Sequence, residues 1–509
     1  MNLAILHFHL NPGGVTRVIE NHLLAIDAAS TQPTRVAILH GGRTVGWSDD
    51  FRTRLLGTHV SLHAVPGLDY DDGQLLAPGT LAAAIREVLA GLNFRPDDTV
   101  LHVHNHSLGK NLSLPGAVTQ LASEGWRLLL QIHDFAEDFR PANYRRLATA
   151  FRATNATTCY PQAPQIHYAA LNGRDRDLLA SAGVAEERLH RLPNPVPFPA
   201  VAEDRRAARR LLADKFDVGI EQRYTFYPVR GIRRKNVGEA MLLSLLDDRE
   251  AVYGLALDPL NPAEKPFFDR WRRLVDELKC PLRFATSEIE RGGLSFAENL
   301  AAADTAVTTS VAEGFGMAFL EPWLAELPLC GRDLPEITVD FRAAGVQLDG
   351  LYDRLAVPLD WVGTERFADA FRTAGEALLA AYNRPPQPMR TWLAVFDRKT
   401  AGGMVDFGDL DEELQEDVLR RVAKSHACRD ELRSLNRHLT DVPDAATMTD
   451  NAEYIRATYS PERIGRQLID IYRRLLNANF GAIDELDHSG LILDRLLDLG
   501  RIRLIRGVT

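Results

Sequence analysis

The sequence predicts an α/β protein with two parallel-sheet domains facing a cleft, followed by a C-terminal helical addition. Three observations predict it. At 509 residues the chain exceeds what one hydrophobic core supports, so two or more domains are expected. In both halves, short apolar runs alternate with stretches whose apolar residues recur at helical spacing. Between the halves lies the proline-rich LPNPVPFP (192–199), which has the composition of a linker. The boundaries read as 1–200 for the first domain, 201–384 for the second, 385–450 for a mainly helical insertion and 451–509 for a closing helix with an extension.

Composition narrows the class. Hydrophobic content of 45% and charged content of 25% are ordinary for a soluble globular protein. A formal net charge of −10 counts against non-specific binding to nucleic acid or anionic membrane. Cys159, Cys280, Cys330 and Cys428 show neither C-x-x-C nor zinc-site spacing. They read as reduced thiols, which makes a cytoplasmic location the expectation. The opening MNLAILHFHL is too short and too histidine-rich for a signal peptide. No window approaches 18 continuous apolar residues, so no transmembrane helix or stable membrane anchor is expected.

In the first half, residues 3–10 read as a buried strand. The turn Asn11-Pro12-Gly13-Gly14 follows, then a helix with Val15, Val18, Ile19, Leu23 and Ile26 on one face. Gly13 and Gly14 thus sit between a strand and a helix N-terminus, where a phosphate can approach the backbone; a simple βα turn is the alternative. The dinucleotide pattern G-x-G-x-x-G is absent. RVAILHGG (35–42), TVLHVHNH (99–106) and RLLLQIHDF (127–135) are further strands, and LAAAIREVLAGL (81–92) is a helix. His102, His104 and His106 alternate, so an extended strand presents them on one face. No carboxylate or cysteine partner has metal-ligand spacing, so they are expected to line a cleft floor or to be hydrogen-bonded rather than to hold a metal. Gly13-Gly14, His106 and His133 all fall at predicted strand C-terminal ends, where parallel α/β domains bind ligands. TTCYPQAPQIHYAAL and its continuation (157–199) give the last βα unit and the linker.

In the second half, a charged helix (203–215) leads to a strand (224–229), the basic turn RGIRRK and a helix (236–246). Arg230, Arg233, Arg234 and Lys235 stand where an anion would bind, although a solvated basic turn is the ordinary reading. VYGLAL and PLRFAT are strands, with a helix over 261–278 between them. LSFAENLAAAD is a helix, and AAADTAVTTS gives the next buried strand. SVAEGFGMAFLEPWLAELP (310–328) then places Glu313 and Glu321 around a glycine-containing loop, with a helix expected from about Glu321. Strand, loop and helix N-terminus in that order make an anion site. Two acids beside it suit the hydroxyls of a phosphorylated sugar better than core packing.

NPGGVTRV, QIHDF, LPNPV, VRGIRRKN and EGFGMAFLE, in that order, resemble the retaining nucleotide-sugar glycosyltransferases of family 4. The likeness covers roughly 1–345 and returns weakly at YSPERIGRQLIDIYRRLL (459–476), which looks like the family's closing helix. It implies a GT-B fold of two Rossmann-like domains. It also implies a metal-independent hexosyltransferase with no cofactor, its nucleotide sugar being a substrate. Arg230 and Lys235 would bind the donor diphosphate, and Gly14, with Gly13, would meet it across the cleft. Glu321 would hold the ribose hydroxyls, and Glu313 those of the transferred sugar. Gly316, Met317, Ala318 and Phe319 would offer N–H groups, and His133 would contact the donor sugar. Phe284 lies where the family tends to contact the base, and His104 and His106 would belong to the acceptor cleft.

The sequence departs from the family at Asn236, where a glycine often follows the lysine, and at Met317-Ala318. The stretch 385–450 and the end 479–509 are larger departures. The first reads as an added helical subdomain, with an acceptor-binding or dimerising element as the alternative. The second reads as a helix and a short strand. A nucleotide-sugar epimerase and a non-catalytic sugar-nucleotide scaffold are the competing functions. The expected partners are a nucleotide sugar and a saccharide or other small hydroxylated acceptor. No nucleic acid is expected, and a homo-oligomer is left open.

Overall fold

The computed structural model describes all residues except 72–74, 155–158, 203, 289–291, 440 and 508–509. The expected helix start at Glu203, and parts of the segments read from Thr157 and up to Thr509, therefore lie outside the described residues.

The first half supplies β1 (Asn2–His7), β2 (Thr34–His40), β3 (Thr58–Ala64), β4 (Thr99–His104), β5 (Arg127–Ile132), β6 (Pro161–Gln162), β7 (Ile166–Ala170) and β8 (Leu189–Arg191). Seven of these form one sheet in the order β3-β2-β1-β4-β5-β7-β8, and every pairing is parallel. β1, β4, β5 and β7 are buried along their whole length, as continuous apolar runs covered on both faces must be.

The second half supplies β9 (Tyr224–Arg230), β10 (Val252–Leu257), β11 (Leu282–Arg283), β12 (Thr305–Thr308), β13 (Leu329–Arg332) and β14 (Leu351–Tyr352). They form a second parallel sheet, β11-β10-β9-β12-β13-β14. In each sheet the strand order reverses once, between β1 and β4 in the first and between β9 and β12 in the second. Such switch points open a crevice at the strands' C-terminal ends, and ligands of open parallel sheets bind there.

The segment 385–450 differs from the subdomain that its sequence suggests. It is mainly helical, with helices Met389–Lys399, Glu412–Lys424 and His426–Leu435. It builds no core of its own, because Val405, Phe407, Leu414, Val418, Leu419 and Leu432 pack into the same core as Tyr227, Leu243, Trp271 and Val307 of the second domain. Its β16 (Met404–Asp406) pairs antiparallel with β15 (Ala356–Pro358). Asp406 reaches Arg332 at the end of β13. That guanidinium is fully buried and forks onto Glu239 (Nε–Oε1 and Nη2–Oε2, 2.7 Å each) and onto Asp406 (2.7 and 2.8 Å).

The closing helix belongs to the first domain. Pro461–Leu476, capped by Ser460, packs along helix Gly14–Ala29 and sinks Ile464, Leu468, Ile471, Tyr472 and Leu475 into the core beneath the first sheet. A Cβ on Gly465 would stand 1.9 Å from the carbonyl oxygen of Ala25, so the helices cross where only glycine fits. Beyond it, β17 (Asp484–Glu485) pairs with β6, and the rest is helix Gly490–Leu496 and two 3-10 turns. The short strand expected at the very end is replaced by those turns. Arg501 and Arg503 there engage Asp138 of the first domain (3.3 Å) and Asp406 of the second (3.0 Å).

Replacing Arg332 by methionine strands buried Glu239 without its cation and leaves Asp406 to Arg503 alone. The expected loss is about 3–5 kcal/mol of stability, read from urea unfolding of the whole chain. A loss below about 1 kcal/mol would show that the network is not what fixes 385–450 to the second sheet.

Candidate functional site

The two switch points face each other across a cleft of about 350 Å³. Its walls include Gly14, Arg17 and His133 from the first domain, with Lys235, Glu313 and Glu321 from the second.

The basic turn is built from β9 outward. A 3-10 turn at Arg233–Lys235 ends at Asn236, which adopts a left-handed conformation (φ 50, ψ 60) and opens helix Val237–Leu246. Asparagine is among the few side chains that take this conformation readily, which accounts for its standing where a glycine is usual. Its amide donates to Glu239 (2.7 Å) and accepts from Gln415 of the segment 385–450 (2.9 Å). The carbonyl of Lys235 accepts from the hydroxyls of Tyr227 (2.7 Å) and Thr309 (3.0 Å). The cation-bearing turn is thus clamped from β9, from the end of β12 and from the helical segment.

Each cation in the turn has a different fate. Lys235 is buried and its Nζ donates to Glu313 Oε1, while Arg234 Nη1 donates to Glu313 Oε2 (2.7 Å) and to the Ala312 carbonyl (2.8 Å). Arg233 pairs with Glu412 (2.6 Å) and lies over the Phe267 ring, so it fixes structure. Arg230 donates to the carbonyl of Asp258 at 3.3 Å and is not among the residues lining the cleft. Arg234, which stands beside Lys235 in the sequence, takes the position at the cleft.

Burial alone would raise the Glu313 carboxyl, but Lys235 and Arg234 hold it down to about 2. Burial lowers the Lys235 ammonium to about 8 although Glu313 works against the fall, so the pair is ionic at neutral pH. Burial pushes Glu321 up to about 7, opposed by the nearby Arg17.

The loop between the two acids follows the sequence closely, but the helix after it does not. Gly316 has φ +89, a conformation that requires glycine, and a 3-10 turn follows at Met317–Phe319. The helix from Glu321 is one turn long, Glu321–Leu324, with Pro322 in its first turn and Glu326, left-handed at φ 56, just beyond its end. So short a helix offers little dipole, and fixed cations carry more of the positive potential than the sequence suggests. Met317 and Ala318 line the cleft. Phe319 does not: its ring is core, and its N–H donates to the Gly316 carbonyl (3.0 Å), so it is not free for a ligand. Phe284 packs edge-on against Phe268 and also lies off the cleft lining.

On the opposite wall, Gly14 is the first residue of its helix, and nothing stands within 4 Å of where a Cβ would be. Gly13 caps that helix with extended backbone and is not itself a lining residue. His133 lines the cleft and is held from behind, its Nε2 2.8 Å from Nδ1 of His104 and its N–H donated to Asn105 (2.8 Å). Asn105 is a residue that sequence reasoning missed. Its left-handed backbone (φ 57) ends β4 and lets one side chain cap the His133–Asp134 turn.

Asn105 also corrects the expectation for the three alternating histidines. His102 and His104 share a face, but the left-handed residue breaks the alternation. His106 Nε2 donates to the Cys159 carbonyl (2.8 Å), and its ring lies against Tyr160 and Tyr168 on the other side of the sheet. Neither His104 nor His106 is exposed, so neither lines an acceptor cleft; both lie beneath it.

His22, His102 and His104 instead form a buried stack, with rings inclined by 23° to 34° and ligand atoms within 4.8 Å of one another. Ring-nitrogen lone pairs lie in the ring plane, so near-parallel rings aim them side by side. A tetrahedral zinc at 2.0–2.1 Å needs them to converge. His102 already engages both ring nitrogens, at the Tyr472 hydroxyl (2.8 Å) and the Gln131 side-chain oxygen (2.9 Å). Burial lowers His102 to about 3 and His133 to about 4, which leaves them neutral.

No family model matches the chain. It is similar to mannosylglucosyl-3-phosphoglycerate synthase of Petrotoga mobilis, at 25% identity over 463 residues, covering 89% of this chain and 86% of that one. Among solved structures it resembles a glycosyltransferase from Rickettsia africae (TM-score 0.56, 12% identity, 94% of this chain and 99% of that one). It also resembles sucrose-phosphate synthase from Thermosynechococcus elongatus (0.53, 14%, 93% and 99%) and Anabaena HepE in complex with UDP (0.52, 12%, 93% and 100%). Two parallel sheets meeting at a cleft, with a helical C-terminal part and these neighbours, make this a protein of the GT-B glycosyltransferase fold.

Proposed function

We propose that the chain is a retaining glycosyltransferase of the family 4 type. It would move a hexose from a nucleoside-diphosphate sugar to an acceptor hydroxyl without a metal. The observation that carries this is the meeting of Gly14, Arg234, Lys235, Glu313 and Glu321 on one cleft between the two switch points. The HepE structures, which hold UDP or UDP-glucose, support the choice of donor class.

In this reading the bond between the sugar's anomeric carbon and the phosphate oxygen breaks, and its electron pair leaves with the nucleoside diphosphate. The acceptor oxygen bonds to the same face of the carbon, and its proton passes to the departing phosphate. Positive charge grows on the sugar ring and negative charge on the diphosphate. Lys235, with Arg234 beside it in the place expected for Arg230, stabilises the diphosphate, and the open backbone at Gly14 receives it from across the cleft. Before the donor binds, Glu313 holds both cations in place; with the donor bound it also accepts hydrogen bonds from the sugar's hydroxyls. Glu321 holds the ribose, and His133 touches the sugar from the first domain. An epimerase would need a further acid or base poised over the sugar ring, and no observation favours one.

Lys235→Ala should lower transfer, and the slow hydrolysis of donor without acceptor, by on the order of 10²–10³. A loss under tenfold would remove Lys235 from the chemistry. The test is a panel of uridine, guanosine and adenosine diphosphate sugars, screened first by thermal shift because a bound donor raises the melting temperature. Failure of every member to shift it would sink the reading.

Donor affinity should also be bell-shaped in pH. Glu321 accepts ribose hydroxyls best when ionised, so affinity rises as pH climbs through about 7. Lys235 binds diphosphate only when protonated, so affinity falls as pH passes about 8. Glu321→Gln should abolish the acid limb alone, and Lys235→Met the alkaline limb alone, in calorimetric titrations of intact nucleotide sugar.

A further inference from the structure

We infer that the acceptor carries an anionic group, a phosphate monoester or a carboxylate, and that Lys110 binds it. This deepens the glycosyltransferase reading above and rests on it. Lys110 lies in the loop that follows β4, at the first sheet's switch point. A run of charged side chains connects it to the donor cleft. His133 and Asp134 line the cleft, Asp134 pairs with Arg140, and Arg140 acts with Arg146 on Lys110.

The arginines of this wall have acidic partners. Arg43 Nε donates to Asp69 (2.6 Å), Arg140 pairs with Asp134, and Arg146 approaches Asp71 at 3.4 Å. Lys110 has none: among the described residues its ammonium makes no ion pair or hydrogen bond, and it rests 5.3 Å from the centre of the Tyr70 ring. The Asp71 carboxylate close by is engaged by the amide of Leu112 (2.7 Å). The ammonium is half-buried, and burial, with the positive charges of Arg140 and Arg146, pushes its pKa down. A cation kept partly out of water without a counter-charge costs free energy that an incoming anion would recover. A neutral hydroxyl would not.

The test uses the full chain with whichever nucleotide sugar raises its melting temperature. Acceptors are offered in matched sets: glucose, glucose 6-phosphate and glucuronate, and glycerol, glycerol 3-phosphate, glycerate and 3-phosphoglycerate. The anionic members should show KM values at least tenfold below their neutral counterparts, with the advantage shrinking as salt rises. Lys110→Met should raise KM for the anionic members tenfold or more while changing kcat less than threefold. Lys110→Arg should restore most of the loss, and an unchanged thermal shift with the nucleotide sugar would show that each variant is folded. Preference confined to the phosphates or to the carboxylates identifies the group. Equal use of neutral members, failure of every anionic one, or an unchanged KM in Lys110→Met overturns the inference. If a nucleotide sugar binds in those cases, the donor reading stands; if none binds, both fall.

Discussion

One buried guanidinium holds the second domain in its present form. Arg332 has no contact with water, so its charge must be met inside the protein, and Glu239 and Asp406 meet it from opposite directions. Glu239 stands on the helix that begins at the basic turn, and Asp406 on the segment that sequence reading sets apart as an insertion. Satisfying one cation therefore fixes the position of a long stretch of chain. Arg503, bonded to the same Asp406, extends the constraint to the C-terminal end. Buried ion pairs of this kind add little net stability over apolar packing, but breaking one is costly, which suits a device that specifies arrangement.

The candidate site inherits that arrangement. The Lys235 turn is braced by Gln415 through Asn236, and Gln415 keeps its place because its helix is anchored beside Asp406. The cations and Glu313 are already paired before any ligand arrives, so little reorganisation is needed when negative charge develops on a leaving group. Across the cleft, Asn172 donates to the Gly314 carbonyl (2.8 Å) and Gly173 to Asp340 (2.6 Å), so the loop carrying Glu313 is registered against the first domain as well.

Much of this was legible in the sequence, for specific reasons. Buried parallel strands are continuous apolar runs, so β1, β4, β5, β9, β10 and β12 declared themselves. The edge strand β3 did not, because THVSLHA mixes polar and apolar residues on a half-covered edge. Gly14, His133, Lys235, Glu313, Gly316 and Glu321 converge because each sits at a strand's C-terminal end or directly beyond it. The failures have equally local causes. One left-handed residue, Asn105, turned His106 to the wrong side of the sheet. The chain turns left-handed at Glu326, shortly before Pro328, and ends the helix after Glu321 at a single turn. Lys110, Arg140 and Arg146 carried no recognisable spacing, since the loop after β4 and the start of the helix Pro141–Thr154 bring them together. The place of 385–450 depended on a pairing 74 residues apart in sequence, between Arg332 and Asp406, which no periodicity announces.

The closing helix has a consequence for how the chain comes into being. The helix Gly14–Ala29 is synthesised long before the helix Pro461–Leu476, which completes the core around Ile19, Leu23 and Ile26. At synthesis rates of roughly 5–20 residues per second, that partner arrives some tens of seconds later. During this interval both faces of the first sheet lack part of their cover: Ile464, Leu468, Ile471, Tyr472 and Leu475 are missing from one core, and Leu486, Ile492 and Leu496 from the other. The two cores of the first domain are therefore completed only by residues made far downstream.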